Sequence, residues 1–500
     1  MTATISVVFA CLIAAIWLVL PASRPKRPLP PGMHVPVLRL DGDSRPRLGP
    51  PSTAKSAEHP WKVYATWSNT VGPLVTLGTS SRPIVVINTT EAVTDLLEKR
   101  SHFSCKPRWP MAELLGRQKN VGFQYYGERL KRSRRVLHNA LNTTAIGTTW
   151  KGLLNSQSVA LLQAFLRSPD TFYTDVGGNI EALVVLFTYG KKPDAQYTSM
   201  AREVMHQTGI ALQPGRWAVN FYPARKSSVV MYVPAWFPGA GFQRWAQDAK
   251  AAFYRLTREP FYHVKKELSQ GNAPLSFVRN ALEESGQTPE EEDIIMSAAG
   301  SLFSAGTDTI TTAVLTAILL LTRHPEVQAR AYEEIKTVVG TDRLPEMHDR
   351  ASLPYIDCVI QEIHRFNPAI PLVTHANSEE DEYLGYRIPK KTWIMANVWA
   401  MLHDANDYHD PEEFNPDRFL PGGTGPARDP RTLIYGFGRR LCPGMHLANA
   451  YLFLVVARTI AIFELLPPIE DGITKMPPLD FAVGLLSYVR KSAFVECFRF

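Results

Sequence analysis

The chain has 500 residues, 45% of them hydrophobic and 20% charged, and a formal net charge of +7. This is ordinary globular composition with ample apolar material for a large core. The positive charges are spread along the chain rather than gathered in aromatic-interleaved tracts, which argues against a nucleic-acid binder. The five cysteines (Cys11, Cys105, Cys358, Cys442 and Cys497) are widely spaced and form no Cys-x-x-Cys pair, against structural zinc, thioredoxin-like chemistry and a disulfide framework. With no internal repeat and no long linker after residue 60, one large domain is expected rather than the roughly three that length alone would suggest.

Residues 5–20 read ISVVFACLIAAIWLVL without a charge, and with their flanks suffice to cross a bilayer core of roughly 30 Å. A cleaved signal peptide would carry its positive charge before the apolar run. Here Arg24, Lys26 and Arg27 follow it, which predicts an anchor with the body of the protein in the cytosol. The expected division is 1–22 as a transmembrane anchor, 23–60 as a basic, proline-rich linker and 61–500 as the folded domain. Pro28, Pro30 and Pro31 stiffen the connector. The sequons at Asn88 and Asn142 would stay unglycosylated in the cytosol.

Leu74–Leu77 and Ile84–Ile87 read as short strands separated by turn residues. From Glu91 to the middle 300s the pattern is mostly helical. Its longest element opens with Thr288 as cap, Pro289 at the first helical position and Glu291 completing a capping box, and runs to about Leu321. A helix so apolar on most faces is expected to pass through the middle of the protein. A second helix is predicted from about Leu353 to Phe366, then short strands around Pro371–His375 and Trp393–Val398, a Pro/Gly-rich meander from Pro411 to Pro426 and a helix from near Pro443 to Phe463. Phe481–Phe500 reads as strand pairs. The whole is mainly α with a small β portion.

The sharpest local signal is Tyr435-Gly436-Phe437-Gly438-Arg439-Arg440-Leu441-Cys442-Pro443-Gly444. A buried cysteine is usually just a small apolar residue. Here glycines let the backbone bend and approach a flat partner, and the following helix start places N–H groups near the sulfur, with Arg440 adding positive charge. A thiolate held this way suits haem iron. The segment resembles the haem-binding loop of the cytochrome P-450 family, Phe-x-x-Gly-x-Arg-x-Cys-x-Gly, with Tyr435 standing where the family usually has Phe.

Three more segments match that family in order. Ala305-Gly306-Thr307-Asp308-Thr309 resembles its oxygen-activation motif. Taken alone, hydroxyls and an acid in a helix can simply bond to nearby carbonyls. By resemblance, Thr309 and Asp308 are the catalytic proton relay, in a helix opened by Gly306 into a groove for dioxygen. Glu362-Ile363-His364-Arg365 alone reads as a surface ion pair worth about 0–1 kcal/mol. With Asn415-Pro416-Asp417-Arg418-Phe419 at the family's distance, Glu362, Arg365 and Arg418 become the family's structural triad, serving folding and haem retention. Leu130-Lys131-Arg132-Ser133-Arg134 aligns with the family's Trp-x-x-x-Arg helix, with Leu130 replacing Trp; Arg134 and His375 would then face haem propionates.

What the resemblance implies is a cytochrome P-450 fold behind a single-pass anchor in the endoplasmic reticulum membrane. It implies haem b (iron protoporphyrin IX) bound by Cys442 as metal ligand, with Arg440, Arg134, His375, Tyr435, Gly436, Gly438 and Gly444 as cofactor contacts. Electrons would come from NADPH through NADPH–cytochrome P-450 reductase, with cytochrome b5 as an optional second donor, for O2 activation and hydroxylation. The pocket residues implied by family position are Trp109, Phe123, Phe303, Ala305, Ile370, Val373 and Leu485. That apolar set suits a lipophilic terpenoid, polyketide or aromatic compound. The phrase Pro234–Gly239 and the run His403–Phe419 look most like fungal secondary-metabolism members, a group that includes enzymes similar to O-methylsterigmatocystin oxidoreductase. The apolar Trp236 phrase fits either membrane contact or ordinary loop packing. Desaturation, ring formation or peroxide-driven oxidation are the alternatives within this chemistry, and a haem-binding protein without turnover the alternative outside it.

Overall fold

The computed structural model describes residues 29–31, 59–77, 83–212, 216–221, 231–286, 288–422, 427–470, 473–482 and 484–494. The apolar run at 5–20 and the basic residues behind it lie outside the described residues.

The molecule is organised around one helix, and its N-terminal chemistry explains why it starts where it does. Thr288 Oγ1 accepts from the Glu291 N–H at 3.3 Å and the Glu291 carboxylate accepts from the Thr288 N–H at 3.3 Å, while Pro289 fills the first helical position. The helix Pro289–Arg323 then runs 35 residues, about 50 Å at 1.5 Å per residue.

In chain order the main helices are α1 (Pro60–Val71), α2 (Pro110–Leu114), α3 (Glu128–Leu141), α4 (Lys151–Arg167), α5 (Phe172–Tyr189), α6 (Ala195–Leu212), α7 (Gly241–Ser269), α8 (Phe277–Glu284), α9 (Pro289–Arg323), α10 (Pro325–Val338), α11 (Pro354–Phe366), α12 (Val398–Leu402) and α13 (Met445–Ile462). α9 packs on α3, α5, α7 and α13, and α13 in turn packs on α4 and α11. Both α9 and α13 are apolar enough to cross a membrane, yet most of each is buried inside the protein. They are core helices.

The strands are β1 (Leu74–Leu77), β2 (Ile84–Ile87), β3 (Leu372–Ala376), β4 (Asp381–Tyr383), β5 (Tyr386–Ile388), β6 (Trp393–Asn397), β7 (Ile469–Glu470) and β8 (Ile473–Thr474). The largest sheet has the order β1-β2-β6-β3, parallel only between β2 and β6. β3 pairs with β6 so that His375 lies opposite Ile394. On its free edge Ala376 forms a single bridge to Cys105, its N–H donating to the Cys105 carbonyl at 2.9 Å.

One expectation changes. The C-terminal strand pairs reduce, among the described residues, to one bridge between Phe481 and Val489 followed by a 3-10 turn at Lys491–Phe494, because residues 484–486 bend instead of extending the ladder. At Gly306 α9 is continuous helix. A Cβ on Gly306 would stand 3.2 Å from Val184 Cγ2 of α5, so the glycine serves close helix–helix approach.

Candidate active site

The Cys442 loop is a tight, internally bonded turn. Phe437 accepts from the Arg440 N–H, Gly438 from the Leu441 N–H, and Tyr435 from the Cys442 N–H at 2.7 Å. Gly438 has φ +52°, and a Cβ there would lie 2.5 Å from the Leu97 carbonyl oxygen, so no side chain fits. The sulfur sits just ahead of α13. Burial pushes its thiol pKa up, while the Gly444 N–H and the nearby Arg134 guanidinium pull it down. Tyr435 keeps its ring in this turn and donates its hydroxyl to Asn449 Oδ1 of α13 at 2.8 Å.

Beside the loop lies an arc of basic groups. Arg134 donates to the Leu441 carbonyl at 2.7 Å. Arg440 donates to the carbonyls of Ser104 and Gln124, both at 2.6 Å. His375 is 1% exposed; its Nδ1 faces the Phe103 carbonyl at 3.0 Å and so carries the proton, while Nε2 is buried without a partner. Lys106, which motif matching missed, donates to the Thr374 carbonyl at 2.6 Å. Its position depends on the Cys105–Ala376 bridge, which no local pattern announces. Burial lowers the Lys106 pKa to about 7, with Arg440 adding to the effect; the whole side chain keeps some accessible surface, but its ammonium is crowded by protein atoms. Burial likewise lowers Arg440 to about 10 and His375 to about 3, and depresses Arg134. No carboxylate pairs with any of the four among the described residues.

On α9, Thr309 Oγ1 donates to the Ala305 carbonyl at 2.8 Å and Thr307 Oγ1 to the Phe303 carbonyl at 3.2 Å. Ala305 and Asp308, three residues apart, are the exposed points of a stretch that is otherwise buried or half-buried. They share a face. Surrounding protein raises the Asp308 carboxyl pKa although the residue keeps accessible surface, and no ion pair to it occurs among the described residues.

Residues 42–175 and 222–489 match the family model described as Cytochrome P450. The chain belongs to the cytochrome P450 family. It is 34% identical over 438 residues to Cytochrome P450 monooxygenase 208 of Postia placenta, covering 86% of this chain and 84% of that protein. It is 33% identical over 484 residues to Cytochrome P450 monooxygenase 98 of the same fungus, covering 94% and 90%, and 34% identical over 440 residues to Cytochrome P450 monooxygenase ppsD of Aspergillus oryzae, covering 85% and 82%. Among solved structures, a zebra fish cytochrome P450 with progesterone superposes with a TM-score of 0.70 at 22% identity, covering 86% of this chain and 97% of that one. This P450 is therefore a monooxygenase, an oxidoreductase that incorporates oxygen, and its family works with haem b and NADPH-derived electrons delivered through a redox partner.

Haem b brings two carboxylates and requires an axial ligand. The P450 offers a half-buried cysteine sulfur with a backbone N–H beside it and four basic groups that find no carboxylate among the described residues. That donor set fits the cofactor in charge and in kind.

Behind the loop, the Glu362–Arg365–Arg418 set is fully buried, at 0%, 0% and 3% exposure. Arg365 binds Glu362 at 2.7 and 2.8 Å, and Arg418 joins at 3.1 Å. The remaining guanidinium hydrogens go to the carbonyls of Leu402, His409, Pro411 and Glu413, and Glu362 also accepts from the Asn415 N–H at 2.8 Å. The surface-pair alternative is thus excluded: this network fastens α11 to the meander.

The expected pocket residues scatter in character. Phe303 is 4% exposed and meets Tyr197 edge-on, ring centroids 5.6 Å apart. Trp109 packs against Trp393 at 4.5 Å, Phe123, Ile370 and Val373 are half-buried, and Leu485 is 66% exposed on a bend.

Proposed function

We propose that this P450 is a membrane-bound monooxygenase that hydroxylates, or oxidises further, a lipophilic small molecule of the terpenoid, polyketide or aromatic kind in fungal secondary metabolism. Cys442 is its axial thiolate. Arg134, Arg440 and His375, joined by Lys106, hold the two propionates. A carboxylate at His375 Nε2 would favour the imidazolium, which donates from both nitrogens at once. The observation that carries this reading is the pairing of Cys442, with the Gly444 N–H at its sulfur, and a basic arc that no carboxylate among the described residues neutralises.

When bound, haem supplies reductive O2 activation through its thiolate-ligated iron. The protein's own part is positioning and proton supply. Asp308, its pKa raised by burial, holds a proton at higher pH than a surface acid does. Thr309 Oγ1, engaged with the Ala305 carbonyl, has lone pairs free to accept that proton's hydrogen bond and passes its own hydrogen on when it swings from Ala305.

Membrane attachment rests on the anchor at 1–22, and an exposed cluster supports it: Tyr232 is 83%, Trp236 79% and Phe237 50% exposed. An aromatic group so placed suits the bilayer interface better than loop packing. The partner is an NADPH–cytochrome P-450 reductase on the cytosolic face of the endoplasmic reticulum.

The test is the spectrum of the reduced, CO-bound protein. Wild type should show the red-shifted Soret band of a thiolate-ligated haem, and Cys442→Ala should lose it. A normal band in Cys442→Ala would sink the assignment. Product formation that depends on reductase and NADPH, and not on added peroxide, separates this reading from peroxide-driven oxidation.

A further inference from the structure

Arg117 stands at the head of the 3-10 turn Arg117–Lys119, in the segment that links α2 to α3. It is only 2% exposed. Its Nε donates to Thr208 Oγ1 at 2.8 Å and its Nη2 to the Val204 carbonyl at 3.1 Å, both on α6, and its guanidinium lies 4.0 Å from the centre of the Phe253 ring on α7. Nη1 is buried and has no partner among the described residues. No carboxylate pairs with Arg117 among the described residues, and burial alone pulls its pKa down to about 9.

An interior guanidinium without a counter-charge is expensive, and chains normally pair it or replace it. Thr208 and the Val204 carbonyl are neutral acceptors, and they occupy only two edges of the fork. The third edge asks for an anionic or strongly accepting oxygen.

The location says where such an oxygen would come from. The residues that follow Arg117 are fastened to α9: Asn120 donates to Ser304 Oγ at 2.7 Å and the Val121 N–H to Ser301 Oγ at 2.8 Å. Ser301 precedes Ala305, and Ser304 precedes Asp308, by one turn. Arg117 therefore sits at the seam of α6, α7 and the 115–124 segment, one turn of chain from α9. α6 is the lightly held wall of that seam. Its buried residues are Ala201, Val204 and Ala211, against ten buried residues in α5, a helix of the same 18-residue length. A helix with so little buried surface opens at low cost. Moreover the family match skips residues 176–221, which contain both α6 acceptors. The contact belongs to the part of the chain that the shared pattern does not span.

We propose that Arg117 is a substrate-recognition residue that selects a carboxylate on an otherwise lipophilic molecule, its Nη1 taking the anionic oxygen as the molecule enters along α6. This inference rests on the lipophilic-substrate reading above.

The experiment uses full-length, haem-loaded protein whose CO-bound band has first been verified, so that failure of the parent reading shows before any ligand is added. Lauric acid and abietic acid are titrated beside their methyl esters, read by the spin-state change of the Soret band and independently by ligand protection in thermal unfolding. Wild type is expected to bind at least one acid about tenfold more tightly than its ester, the worth of a charge-assisted pair at a shielded site. Arg117→Met, similar in volume, should fold, keep ester binding and lose the preference for the acid. Arg117→Lys should retain part of it. The proposal falls if acid and ester bind alike in wild type, if neither acid binds, if Arg117→Met keeps the preference, or if Arg117→Met weakens acid and ester in parallel. That last result would mark the residue as a structural clasp.

Discussion

Two groups of interior charges in this P450 contrast sharply. In the set behind the meander, Glu362, Arg365 and Arg418 satisfy one another and the surrounding carbonyls, at 0–3% exposure. In the arc beside Cys442, Lys106, Arg134, His375 and Arg440 find carbonyls but no opposite charge among the described residues. The first group completes a structure, and the second is arranged for a partner that brings its own carboxylates. Removing one charge should thus destabilise the first group and stabilise the second in the haem-free protein.

The largest effect should come from breaking the closed set. Glu362→Ala would leave two buried guanidiniums unpaired and should cost about 3–5 kcal/mol. Urea titration of the purified protein, or its absence from the soluble fraction, measures this with or without cofactor. A variant as stable as wild type would remove the distinction between the two groups.

The arc should behave with the opposite sign in the cofactor-free protein. Lys106→Met removes a crowded, unneutralised ammonium, so the haem-free variant should melt higher than haem-free wild type by a few degrees, whereas the haem-loaded variant should lose its cofactor about tenfold faster to an excess of apomyoglobin. The pH dependence sharpens this. The Lys106 pKa falls from 10.5 to about 7 on folding. Between those values the unfolded chain binds more protons than the folded one, so wild-type stability rises with pH across the window. The variant's advantage in the haem-free state should accordingly be full below pH 7 and shrink toward pH 10. An advantage that stays constant over that range would rule out the ammonium as its source.

How far the sequence announced each group follows from the same physics. Thr288, Pro289 and Glu291 marked the start of α9 because a capping box is local chemistry. β1 and β2 fell where the branched residues cluster. Glu362 and Arg365 lie one turn apart, so their alignment was legible, but their burial was not. The pair reads as a surface bridge until Arg418 is added from a distant segment. Lys106 escaped because the Cys105–Ala376 bridge joins distant segments that no local pattern relates. Arg117 escaped for the same reason, its acceptors coming from α6. The packing of Gly306 against α5 was likewise not legible, since a helical glycine reads as a flaw in the helix until Val184 is seen against it.

The smallest effect tests the boundary between the two regions, where Tyr435 replaces the usual Phe. Its ring is half-buried near Cys442, and desolvation by the surrounding protein first and then the sulfur raise the phenol's pKa. The hydroxyl nonetheless points away, donating to Asn449 Oδ1 on α13. Removing it should therefore cost one hydrogen bond and leave the sulfur's surroundings unchanged. Tyr435→Phe is expected to lose about 1 kcal/mol in urea titration while the CO-bound band and the haem reduction potential stay at their wild-type values. If instead the potential moves and stability does not, the hydroxyl acts on the sulfur through the ring's own dipole, and the turn belongs electrostatically to the open arc rather than to the closed core behind it.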